Sequence, residues 1–140
     1  MKKTFSVLML SLIIQLTYGQ TDKEQVLKVL DDQTVCWNKA DIDCFMEGYW
    51  KSDSLMFVGS KGITYGWQGT LDRYKKSYPD SESMGKLRFE IMEANPMGMD
   101  VYFVVGKFFL SRTIGDLDGI FTLIFRTIDN KWVIAADQTG

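Results

Sequence analysis

The C-terminal stretch 119–140 constrains the fold most. Residues 119–126 and 131–139 are rich in aromatic and β-branched side chains, which favour strands. Asp129 and Asn130 between them tolerate the positive φ angles of a two-residue hairpin turn. A chain that closes on a long hairpin has an apolar sheet face that earlier segments must cover.

Those earlier segments supply helices. Thr21 and Glu24 have the spacing of a capping box, and Val26, Leu27, Leu30, Thr34 and Trp37 share one helical face behind it. Asp41 is a good N-cap for a second helix, whose stripe is Ile42, Phe45, Met46 and Tyr49. Residues 54–58 and 62–65 read as a small hairpin. A third helix is expected over 71–78, opened by Thr70 and stopped by Pro79, with a loop over 80–85. Strands over 86–94, 99–112 and 119–126 precede the last one. Helices followed by four long antiparallel strands predict an α+β fold, with a curved antiparallel sheet and three N-terminal helices enclosing a pocket. Phe45, Phe89, Phe103 and Phe125 are expected in its core.

The first 19 residues read differently. Lys2 and Lys3 precede an apolar run over 5–16, and Thr17-Tyr18-Gly19 places small residues where a signal peptidase reads them. The run is short of the roughly 20 apolar residues that a membrane span needs. The sequence therefore predicts a signal peptide over 1–19, a domain over 20–140, and a secreted or periplasmic location with no membrane attachment after cleavage. Losing Lys2 and Lys3 moves the formal charge of the chain from −2 to −4, so nothing points to nucleic acid. In an oxidising compartment Cys36 and Cys44 are candidates for a disulfide, with two buried free thiols as the alternative.

The chain contains no histidine. That removes Ser-His-Asp and Cys-His machinery and the usual imidazole metal sites. Asp116-Leu-Asp118-Gly119 has the look of a calcium loop, but Ile114 and Phe125 stand where ligands would be needed, so it reads as a turn. No metal site and no cofactor motif is expected. Acid–base chemistry would fall to carboxylates and tyrosines. Asp137 and Asp53 are the candidate bases, since a carboxyl desolvated by aromatic walls has a raised pKa. Four Trp and six Tyr bring apolar bodies with polar tips, as a small-molecule pocket requires. Trp50, Tyr65, Trp67, Tyr74, Tyr78, Arg112 and Gln138 are the candidate ligand-binding residues, with Arg112 and Asp137 at the cavity mouth.

The chain also resembles a known family. Residues 36–38 (CWN), 41–43 (DID), 45–52 (FMEGYWKS), 66–67 (GW), 73–74 (RY), 78–80 (YPD), 84–87 (MGKL), 119–123 (GIFTL) and 132–134 (WVI) resemble a secreted branch of the SnoaL-like, nuclear transport factor 2-like superfamily. The resemblance implies a cone-shaped α+β barrel with a deep pocket, commonly homodimeric through its open sheet face. It brings in ketosteroid isomerases, dehydratases, polyketide cyclases and non-catalytic binding domains, whose enzymes often use a pocket Asp with a Tyr or His. In the branch the last strand commonly ends Asp-His-Thr-Ser, whereas here it reads Asp137-Gln138-Thr139-Gly140. Gln138 cannot transfer protons but can still hydrogen-bond. The resulting expectation is a protein that binds a small, partly apolar molecule. The alternatives are an Asp/Tyr-based isomerase or dehydratase, and a dimeric interaction domain with a vestigial cavity.

Overall fold

The computed structural model describes residues 20–140, and the leader expected over 1–19 lies outside them. The elements are α1 (Asp22–Asn38), α2 (Ile42–Met46), β1 (Met56–Gly59), β2 (Gly62–Tyr65), α3 (Trp67–Ser77), α4 (Ser81–Met84), β3 (Lys86–Pro96), β4 (Val101–Ser111), β5 (Leu117–Ile128) and β6 (Lys131–Thr139). Six strands form one sheet in the order β2-β1-β6-β5-β4-β3. Neighbours are antiparallel except β1 and β6, which run parallel. The helices cover one face, so this is an α+β fold with a curled, unclosed sheet.

Local chemistry sets the helix ends. Thr21 and Glu24 close the capping box that starts α1. At its far end the Asn38 side chain donates to the Leu87 carbonyl at 3.2 Å and accepts from the Leu87 N–H at 2.7 Å. That bracket fixes α1 to β3. Ala40 then takes φ +59°, and Asp41 caps α2 by accepting from the Cys44 N–H. This reversal sets the Cys36 and Cys44 Cα atoms 5.4 Å apart, and the two are joined in a disulfide.

Three elements differ from the sequence expectation. Helix α2 stops at Met46, so Tyr49 leaves the helical stripe and lies beside Ile134 of β6. Helix α3 starts at Trp67, because Gly66 turns the chain at φ +81° and the Trp67 indole donates to the Met46 carbonyl at 2.9 Å. The 80–85 loop contains the short helix α4, capped by Asp80 on Ser83.

The closing hairpin turns at Asp129 and Asn130, with φ of +49° and +60°. Such paired positive angles match the twist of the flanking strands. Two bulges bend the sheet, since an unpaired extra residue increases local twist. One leaves Met92 without a partner on β4. The other lies on β6: Ile124 pairs with Ala136 but Phe125 pairs with Ile134, so Ala135 is the extra residue. Inside the curl, Phe125, Val104 and Ile134 are fully buried. Gly106 makes room for the ring of its neighbour Phe121 on β5, because a Cβ at this position would sit 2.6 Å from that ring. Phe103 departs from its expected place. Tyr102 and Val104 take the inner face of β4, and Phe103 takes the outer one with Val105.

Candidate functional site

A cavity of about 260 Å³ lies between the helices and the inner sheet face. It would hold about nine waters at roughly 30 Å³ each. Its sheet wall is apolar, built around Phe89, Phe108, Leu110, Phe121 and Leu123. Its helical wall brings Trp37 of α1, Phe45 of α2, and Arg73, Tyr74 and Tyr78 at α3. The aromatic rings hold one another edge-on: Trp37 lies 5.0 Å from Phe45 and 4.9 Å from Tyr78, and Phe45 lies 5.2 Å from Tyr74, centroid to centroid. Edge-to-face geometry is the favoured one for such pairs, and it fixes the wall.

Among the described residues, one carboxyl side chain lines this cavity, that of Asp137. It is 4% exposed. Tyr49 donates to Asp137 Oδ2 at 2.6 Å, and Thr139 donates to Oδ1 at 2.6 Å. The hydroxyls of Tyr49 and Tyr74 are 3.0 Å apart. Tyr49 has a single proton and spends it on Asp137, so Tyr74 is the donor in the second bond. The chain therefore runs Tyr74 to Tyr49 to Asp137, with Thr139 closing the other oxygen. Burial pushes the Asp137 carboxyl up from 3.8 to about 6, against the hydrogen bonds from Thr139 and Tyr49 and the nearby Arg73 charge, all of which lower it. Burial, then the adjacent carboxylate, hold both Tyr49 and Tyr74 well above the ordinary tyrosine value. These tyrosines stay protonated, and Asp137 is the group that exchanges a proton near neutrality.

The β6 bulge decides which residue faces the cavity. Side chains alternate along a strand, so Trp132 and Ile134 inward would put Ala136 and Gln138 inward too. Ala135 shifts the phase by one, and Asp137 and Thr139 turn inward instead. Gln138 is exposed on the opposite side from its buried neighbour Asp137.

No family model matches the chain, and no curated protein matches it. Among solved structures, a nuclear transport factor 2-like protein of unknown function from Shewanella oneidensis MR-1 is 37% identical. The match covers 85% of this chain and 98% of that one, with a TM-score of 0.82. The chain belongs to the nuclear transport factor 2-like family. Fold likeness extends to a ketosteroid isomerase-like protein from Erwinia carotovora atroseptica, 16% identical over 82% of this chain and 92% of that one, with a TM-score of 0.63. It extends also to a nuclear transport factor 2-like superfamily protein from Salmonella enterica serovar Typhimurium, 14% identical over 84% and 89%, with a TM-score of 0.65.

In this nuclear transport factor 2-like protein, Asp137, Tyr74 and Tyr78 of the sequence candidates come together at the cavity. The others lie elsewhere. Asp53 sits in an exposed turn beside Gly66. Trp50 is half-buried with Arg126 stacked 6.0 Å from its ring. Tyr65 is 65% exposed on the edge strand β2. Trp67 spends its N–H on the Met46 carbonyl and stacks under Lys51. Arg112 ties the β4–β5 turn to α4, donating to the Gly115 carbonyl at 2.7 Å and the Ser83 carbonyl at 3.1 Å. Gln138 faces away from the cavity.

Three cavity residues carried weaker signals. Gln33 is 2% exposed and donates to the Phe45 carbonyl. A polar residue four before Trp37 on the apolar face of α1 was the available sign. Tyr49 reads as ordinary helix stripe until α2 ends early. Arg73 reads as a solvated helix charge.

Proposed function

We propose that the cavity binds a small, partly apolar molecule of about ten non-hydrogen atoms, roughly one per displaced water. Its polar group lies against Asp137 and Tyr74, and its body against the sheet wall of Phe89, Phe108 and Phe121. The observation that carries this reading is the Asp137 carboxyl, buried in an aromatic cavity with one hydrogen bond to each oxygen. Burying a carboxyl costs stability unless it is fully partnered, and an apolar residue would fold the wall more cheaply. Each oxygen has a further lone pair to offer a ligand donor. The open volume also argues against a vestigial cavity.

A second reading is favoured by the Asp137 pKa of about 6. A carboxyl that gains and loses a proton near neutrality suits abstraction of a proton beside a carbonyl, as in an isomerase or dehydratase. The test is deuterium uptake from heavy water into the α-position of cavity-sized ketones. Uptake catalysed by the wild type and lost in Asp137→Asn supports proton transfer. No catalysed uptake leaves the binding reading alone.

For binding, native mass spectrometry on protein from its own host tests the reading. A small molecule that co-purifies and departs on unfolding is expected, and a ligand-free mass in every preparation contradicts it. We also propose an extracytoplasmic location, supported by the leader expected over 1–19 and by the Cys36–Cys44 bond. Homodimerisation through the outer sheet face is the matching assembly proposal. Ile120 and Ile124 are 50% and 40% exposed there, beside Phe103 and Val105.

A further inference from the structure

The cavity is chemically two-ended. Asp137 and the Tyr49–Tyr74 chain form one end, where every hydroxyl proton is already committed. The other end opens at exposed Ser60 and Ser77, with Arg73 and Tyr78 beside them. This end is rich in donors. Among the described residues, Arg73 is the one cation lining the cavity. It forms no ion pair among the described residues, and its single protein hydrogen bond there is to Thr64 Oγ1 at 3.2 Å. A guanidinium has five N–H donors, so four are left without a protein acceptor. No protein partner among the described residues takes the Tyr78 hydroxyl either.

The position of Arg73 is built. Its guanidinium lies 4.7 Å over the Phe57 ring, and a side chain at Gly59 would displace it. Phe57 pairs with Asp137 across β1 and β6, and the Arg73 charge is close enough to that carboxyl to lower its pKa. Stacking of this kind holds the planar fork while leaving its edge free for a planar acceptor.

We propose that this open end is a carboxylate site, and that the cavity's ligand is a small apolar acid. The acid group lies on the edge of Arg73 with Tyr78 as an additional donor, the hydrocarbon body runs inward against Phe89, Phe108 and Phe121, and the ligand's second polar group, at its inner end, meets Asp137 and Tyr74. The bidentate match of guanidinium to carboxylate gives both charge and orientation. The inference rests on the reading of the cavity as a ligand site.

Matched acid–amide pairs test it, because each pair keeps shape and changes charge. Benzoate with benzamide, phenylacetate with phenylacetamide, and hexanoate with hexanamide are titrated calorimetrically at pH 7.5. In at least one pair the anion should bind about tenfold or more tighter than its amide, since charge-assisted hydrogen bonds are about twice as strong as neutral ones. Arg73→Gln should erase that preference while leaving amide affinity within about twofold, and Arg73→Lys should restore part of it. A purely structural Arg73 would change both members of a pair together. Equal affinity within every pair, or a preference that survives Arg73→Gln, overturns the carboxylate site and leaves the cavity reading intact. Failure of every acid and every amide to bind overturns both.

Discussion

At the scale of single residues, Asp137 has the strongest physical signature. Its folded pKa of about 6 lies above the ordinary 3.8 because burial penalises the charged form. The sign follows from linkage: the native state holds this proton after the unfolded chain has released it. Its stabilising contribution is complete below about pH 4 and is lost as pH rises through 6. At about 1.4 kcal/mol per pH unit, that amounts to on the order of 3 kcal/mol. Urea unfolding of wild type and Asp137→Asn from pH 4 to 7 should therefore differ in slope. The wild type loses this increment relative to the variant, and parallel profiles would deny the buried carboxyl. Tyr49 has the complementary role. Tyr49→Phe removes the donor to Oδ2, which should cost about 1–3 kcal/mol by leaving a buried acceptor unpaired. It should also raise the Asp137 pKa further, readable by carboxyl-selective infrared titration. An unchanged pKa would show that Tyr49 does not hold the charge.

At the scale of elements, the β6 bulge couples fold to site. The strands, the hairpin turn at Asp129–Asn130 and the Thr21–Glu24 capping box were legible in the sequence because each is local chemistry with a fixed period or angle. The cavity end of β6 was not. Period-2 alternation from Trp132 points Gln138 inward, and nothing in Ile134-Ala135-Ala136 announces that one alanine is skipped. Tyr49 was hidden for a similar reason: its i+7 spacing from Ile42 fits a helix that tertiary pairing with Ile134 ends at Met46. Trp67 reads as a pocket residue because its indole partner, the Met46 carbonyl, is distant in sequence. Deletion of Ala135 removes the extra residue, so regular alternation from Ile134 still points Asp137 inward and Gln138 outward. The expected result is a folded protein by circular dichroism that keeps the pH-dependent increment of the wild type. A folded deletion variant that has lost that increment would show that Ala135 is not the residue the strand skips.

At the scale of the whole molecule, a helical layer and a curled sheet enclose a cavity on one side and expose an apolar face on the other. The two faces make separate predictions. If the outer face joins two copies, Ile124→Lys places a charge at its centre. Light scattering should then show a dimer for the wild type and a monomer for the variant, with ligand affinity retained. A monomeric wild type contradicts the assembly. The cavity is proposed to hold a ligand. The most direct test is a thermal-shift titration of wild type, Asp137→Asn and Tyr74→Phe against molecules of about ten non-hydrogen atoms, sized to the cavity. Binding that saturates at 100 times Kd stabilises the native state by about 2.7 kcal/mol. At least one chemical class should raise the wild-type Tm by a corresponding amount, with the shift reduced in both variants. A wild type that no class stabilises, or shifts that are equal in all three proteins, would contradict it.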